Sequence, residues 1–179
     1  MGEQTEVLEA LFREHAQAVL GYAIRRGAQP EDAGEILSEV MLVAWRKLDA
    51  IPQGREARFW MLATARLVRA NQARSERRRT RLGRRLQFEL ESVPAPNDGP
   101  DEGLRDLVRN AMRVLPEGDR EVLLLATWEE LRPTEIAQVL SIPPETARTR
   151  LHRARARLRA ELEPSLADEG RDSARKEAR

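Results

Sequence analysis

Apolar residues recur along this chain at helical spacing, and no stretch shows the strict alternation of a half-buried strand. Leu8, Leu11, Phe12, Val19, Leu20 and Ala23 mark one face of an opening helix, which the pattern ends at "RRGAQP", where Gly27 and Pro30 interrupt it. Pro30 followed by Glu31 and Asp32 suits the start of a second helix. Proline needs no N–H partner there, and acids complement the positive end of the helix dipole. The stripe of this helix is Ala33, Ile36, Leu37, Val40, Met41, Ala44 and Leu48. Pro52 and Gly54 make "DAIPQGRE" a loop, after which a third helix carries Phe59, Trp60, Ala63 and Leu67, with Trp60 expected to be largely buried. These helices predict a first block over residues 5–85.

From Ser92 to Gly103, "SVPAPNDGPDEG" holds three prolines, two glycines and several acids with almost nothing to bury, so 86–103 reads as a flexible linker. A second block over 104–162 contains "LRDLVRNAMRVL", "DREVLLLATWEE", "PTEIAQVL" and a helix from Pro144 or Glu145 onward. Residues 163–179 are expected to form a disordered tail. The fold class is therefore all-α: two small helical domains joined by a flexible linker, the second carrying a helix-turn-helix, because a two-turn helix, the tight break "SIPP" and a longer helix follow one another there.

The last helix allows its faces to be assigned. Ala147, Leu151, Ala154 and Leu158 recur at steps of 4, 3 and 4 and form one apolar stripe. Opposite it lie Glu145, Thr149, His152 and Arg153. Arg148, Arg155 and Arg159 flank one side, and Arg150 and Arg157 the other. In a major groove the far face would meet base edges and the flanking arginines phosphates. The competing reading is that the arginines of "ARTRLHRARARLRA" only keep a surface helix soluble; the short helix and turn before it weigh against that. Treated the same way, the second helix turns Glu35, Ser38, Glu39, Leu42 and Arg46 outward. An exposed leucine among acids is what a charge-selective protein-docking face needs, although single exposed leucines are common. The third helix places aromatics beside cations in "RFWMLATAR" and continues into "NQARSERRRTRLGRR", a combination suited to unpaired bases and their phosphates.

Composition narrows the classes. The formal net charge of +1 conceals segregation: nine arginines face one acid, Glu76, between Arg66 and Arg85. With no cysteine there is no disulfide or thiolate zinc site, and His15 and His152 alone make no metal cage. No apolar run approaches the roughly 18 residues needed to cross a bilayer, which predicts a soluble, cytoplasmic protein. No nucleophile with a base partner, glycine-rich phosphate loop or metal set is found, so neither an enzyme nor a cofactor or small-molecule substrate is expected.

On these residues the chain resembles the extracytoplasmic-function group of the sigma-70 family of bacterial RNA polymerase sigma factors. "EDAGEILSEVMLVAWRKLD" is similar to the region-two helix that docks on the β′ clamp helices of core RNA polymerase, and "LPEGDREVLLLATWEELRPTEIAQVLSIPPETARTRLHRARARL" is similar to region four, which reads the promoter minus-35 element. The resemblance implies a polymerase-docking set of Glu35, Glu39 and Leu42. It implies a minus-35 set of Arg148, Thr149, His152 and Arg153, which coincides with or borders the face derived from periodicity. Arg150 and Arg157 are the expected phosphate contacts; Ile51, Arg58, Arg66, Asn71 and Arg74 are the expected minus-10 set. The partners implied are core RNA polymerase and promoter DNA, with regulation by a partner such as an anti-sigma factor following by family analogy.

The chain departs from the family pattern in places. Glu145 stands where glycine is common after "IP" and one further residue, Ala147 where valine is usual, Leu67 where "IARN" has its asparagine, and Ile51 where the base-capturing loop often has an aromatic. Two other readings remain open at this point. One is a stand-alone regulator with a LuxR-like helix-turn-helix and a sensing or dimerising first block; the other is a helical adaptor acting through protein contacts alone.

Overall fold

The computed structural model describes the backbone of residues 2–83 and 102–177 and, within them, the side chains of residues 4–75 and 106–163. Among the described residues every regular element is helical. The elements are α1 (Gly2–Ile24), α2 (Pro30–Arg46), a 3-10 turn (Leu48–Ala50), α3 (Arg55–Gly83), α4 (Glu102–Val114), α5 (Glu117–Thr127), α6 (Pro133–Leu140) and α7 (Pro144–Glu177). They divide between two compact units, one containing α1 to α3 together with residues 137–142 and the other built around α4, α5 and α7.

In the first unit α1, α2 and α3 pack pairwise around Val19, Tyr22, Ile36, Val40, Met61, Leu62 and Val68, all buried. The turn between α1 and α2 has a defined cause. Gly27 adopts φ 84°; its N–H donates to Ile24 O at 2.9 Å and the Ala28 N–H to Ala23 O at 3.2 Å. This pair of bonds is the Schellman ending, which needs a left-handed residue after the helix and favours glycine there. Arg69 of α3 donates from Nη2 to Arg26 O at 2.8 Å and so ties the end of α1 to α3. Arg26 itself lies 3.6 Å from the centroid of the Tyr22 ring.

The second unit packs α4 and α5 along α7, with Ala111, Leu115, Val122, Leu125, Ala147, Leu151 and Ala154 buried. Glu135 starts α6 by accepting from the Arg132 N–H at 2.8 Å, the returning half of a capping box. The "SIPP" break ends α6 in a second Schellman motif. Ser141 has φ 54°, its N–H reaches Gln138 O at 3.2 Å, and the Ile142 N–H reaches Ala137 O at 3.0 Å.

The structure alters the sequence expectations in four places. Phe12, placed in the stripe of α1, is 50% exposed. It lines an open groove between α1 and α2 with Leu8, Leu37 and Met41, and that groove leaves it half in solvent. Trp60 is half-buried, not largely buried, because it sits at the edge of the buried stripe Ala57, Met61, Ala65 and Val68. Glu102 and Gly103, given to the linker, form the first turn of α4, where an acid complements the helix dipole; residues 84–101 lie outside the described residues. Residues 163–177 continue α7 where a disordered tail is expected. Extending an existing helix costs far less than nucleating one, and residues such as Ala167, Ala174 and Lys176 are good helix formers.

Candidate nucleic-acid interface and docking surface

The buried stripe of α2 fixes its outward face. Ala33, Ile36, Leu37, Val40 and Ala44 are buried, and Glu35, Ser38, Glu39, Leu42 and Arg46 line one open groove on the other side. Leu42 is 55% exposed. The structure therefore brings the docking set Glu35, Glu39 and Leu42 together as periodicity predicts. It adds Trp45, 45% exposed and one turn beyond Leu42. The i+3 spacing was the signal for it, but an aromatic is read first as core. A second groove, between α1 and α2, is lined by Leu8, Phe12, Leu37 and Met41, with Ser38 shared between the two.

On α7, Ala147, Leu151 and Ala154 are buried, while Glu145, Arg148, Thr149, His152 and Arg153 are all exposed. The expected minus-35 set thus shares one open surface. Its first turn holds an ion pair, Arg148 Nη1 lying 2.8 Å from both Glu145 carboxylate oxygens. Arg150 and Arg157, the expected phosphate contacts, are placed differently. Arg150 is half-buried, and a β-carbon at Gly118 would lie 3.6 Å from its Nη1. Arg157 donates from Nη1 to Asp119 Oδ2 on α5. Asp119 is 8% exposed and went unnoticed in the sequence, because nothing local in "LPEGDREV" marks that acid as buried.

The expected minus-10 set divides. Asn71 and Arg74 are exposed, and Arg74 Nη2 donates to Asn71 Oδ1 at 2.6 Å. Trp60, Ala63 and Leu67, spaced at three and four residues, continue the same side of α3, with Leu67 56% exposed. Ile51, Arg58 and Arg66 are each half-buried. Arg58 faces the α1–α3 contact, where its charge acts on His15. His15 is 4% exposed, and its Nε2 is buried with no hydrogen-bond partner among the described residues. Burial pushes its pKa down, Glu14 opposes that, and Arg58 adds to it. Among the described residues there is no cluster of three potential metal ligands and no helix long and apolar enough to cross a membrane.

Comparison with known proteins follows the same division of the chain. Residues 11–80 match the sigma-70 region 2 family and residues 105–158 the sigma-70 region 4 family. The chain is 32% identical over 170 residues to the RNA polymerase sigma-E factor of Streptomyces avermitilis, covering 90% of this chain and 88% of that one. It is 28% identical over 161 residues to the extracytoplasmic-function sigma factor SigL of Mycobacterium tuberculosis, covering 89% and 91%. Among solved structures, the sigma factor RpoE of Bartonella quintana, determined in complex with the anti-sigma factor NepR, shares the fold with a TM-score of 0.62 at 22% identity, over 90% of this chain and 95% of that one. A stand-alone helix-turn-helix regulator would account for the second match but not for the first. The chain belongs to the sigma-70 family of RNA polymerase sigma factors, within its extracytoplasmic-function group, whose role is transcription initiation.

Proposed function

We propose that this sigma factor docks on core RNA polymerase through the open face of α2, reads minus-35 duplex DNA through α7, and holds the melted minus-10 strand on α3 and the loop before it. The observation that carries this is the pairing, in one chain, of two helices whose exposed faces differ in sign: Glu35, Glu39 and Leu42 on α2, Arg148, Thr149, His152 and Arg153 on α7. An acidic face with an apolar centre selects a basic protein surface. An arginine face with a threonine and a histidine at its middle can hydrogen-bond base edges.

For the minus-10 strand the best-placed groups are Trp60, Asn71 and Arg74, which share one side of α3. A half-buried indole offers a stacking surface, and the Arg74–Asn71 hydrogen bond orients a cation about four turns farther along the same side of α3. Ile51 lines the loop that would receive an unstacked base, while Arg58 and Arg66 take supporting places nearer the core. Holding the unstacked base offsets part of the few kcal/mol that its extrusion costs. No covalent chemistry is asked of the chain, and its place of action is the cytoplasm, with the polymerase.

An anti-sigma factor is proposed as a further partner, since RpoE was determined in complex with one. The α1–α2 groove shares Ser38 with the docking face, so a partner seated there would compete with polymerase.

The test is binding of the labelled chain to purified bacterial core polymerase, with free promoter-like duplex as the parallel ligand. Tight polymerase binding that Glu39→Arg weakens about a hundredfold, beside weak duplex binding by the free chain, is the expected result. Tight, sequence-selective duplex binding with no affinity for polymerase would overturn the reading.

A further inference from the structure

Arg150 and Arg157 stand seven residues apart on α7 and so on one side of it. Both turn toward the first turn of α5, Arg150 against Gly118 and Arg157 onto Asp119. The Asp119–Arg157 pair is asymmetric: the carboxylate side chain is 11% exposed and the arginine 52%. A buried carboxylate has given up its water and requires a partner, whereas an arginine half in solvent does not. The acid therefore holds the arginine, across 38 residues of sequence and between two helices.

The consequence for α7 is rotational. A helix turns 100° per residue, so a modest rotation about its axis would exchange the side chains offered to a groove. An ion pair on one side, with Arg150 lying over Gly118 two turns earlier, would oppose that rotation and keep Thr149, His152 and Arg153 outward. There is also a consequence for charge. A free arginine beside a recognition face contacts phosphates of any sequence alike, raising non-specific affinity without discriminating bases.

We propose that Asp119 is a positioning residue for duplex reading: by engaging Arg157 it fixes the rotation of α7 and withholds one positive charge from the DNA backbone, which raises the ratio of specific to non-specific binding. This rests on the reading of α7 as the duplex-reading helix.

The experiment uses the full chain assembled with core RNA polymerase. Its probes are a duplex that the wild-type holoenzyme selects from a random-sequence pool and an unrelated duplex of equal length. Affinity for each is measured across a salt series for wild type, Asp119→Asn, Arg157→Gln and Arg157→Lys. Asp119→Asn keeps the shape of the side chain and frees the arginine. It should steepen the salt slope by about one, so that about threefold more affinity is lost between 50 and 200 mM salt, and lower the ratio of selected to unrelated binding by about tenfold.

Arg157→Gln should lower that ratio and leave the slope as in wild type, because the arginine makes no phosphate contact to lose. Arg157→Lys, which preserves the charge pair, should keep the wild-type slope. A slope shallower by about one in Arg157→Gln would place Arg157 on a phosphate and overturn the proposal. So would a lower melting temperature in Asp119→Asn with slope and ratio unchanged, which is the signature of a purely structural pair. Wild-type holoenzyme that selects no duplex would overturn the reading of α7 itself, and that result appears before any variant is compared.

Discussion

Helices α2 and α7 bury their inner faces by the same rule and show opposite outer faces. Inside, α2 buries Ala33, Ile36, Val40 and Ala44, and α7 buries Ala147, Leu151 and Ala154. Outside, α2 presents Glu35, Glu39, Leu42 and Trp45, and α7 presents Arg148, Thr149, His152 and Arg153. The inner stripe decides where a helix sits; the outer face decides what it meets. A net charge of +1 averages the two outer faces away, and only their separation along the chain reveals them.

The comparison breaks first if the outer faces are interchangeable. Glu39→Arg puts a cation in the middle of the acidic groove, where a basic partner would meet a like charge. We expect a loss of about 3 kcal/mol, roughly a hundredfold, in polymerase affinity measured by fluorescence titration, with the melting temperature unchanged. Arg153→Ala should do the reverse, costing about 1–3 kcal/mol of discrimination for the selected minus-35 duplex while polymerase affinity stays near wild type. Equal effects of the two substitutions on polymerase binding would dissolve the distinction.

How much of this was legible differs between the two helices and the rest of the molecule. The wheel of α7 gave its whole open face, because Ala147, Leu151 and Ala154 mark the side that it buries. The face of α2 was legible except for Trp45, and α3 misled at Trp60. Periodicity there marks a broad apolar arc, and only the neighbouring helices decide which edge of it is covered. Tyr22, fully buried, and Asp119, buried on a distant partner, had no local signal at all. Both owe their burial to contacts between elements that sequence spacing does not report. The helix ends were better marked: glycine and proline punctuation located both turns, although not that Ser141 would take the left-handed conformation.

A smaller effect tests the core of the first unit against that of the second, which has no buried histidine. The folded chain holds the pKa of His15 below its ordinary value of 6.5 through burial, so near pH 6.5 the unfolded chain takes up a proton that the folded chain resists. The stability this provides is complete above pH 6.5 and is lost as the pH falls from there through the lowered folded value. Thermal melts of the full chain at pH 7.5 and 5.5 should show wild type losing more stability than His15→Leu. The leucine also removes a buried nitrogen that lacks a hydrogen bond. Identical pH dependence in the two chains would show that His15 does not govern it.

The smallest expected effect lies in the two Schellman endings, one per pair of consecutive helices. Gly27 and Ser141 hold φ of 84° and 54°, yet only the first is a residue without a β-carbon to crowd the following carbonyl. Gly27→Ala should therefore destabilise the chain by about 1–2 kcal/mol, and Ser141→Gly should stabilise it by about 0.5–1 kcal/mol, the relieved strain being partly offset by the greater freedom of glycine in the unfolded chain. Urea melts of the full chain measure both. Because Ser141 precedes α7 and lies outside its exposed face, Ser141→Gly should leave duplex selectivity as it is. A gain in stability accompanied by lost selectivity would instead mean that the strained turn sets the angle at which α7 leaves it, and that the helix-turn-helix tolerates an unfavourable residue for the sake of its geometry.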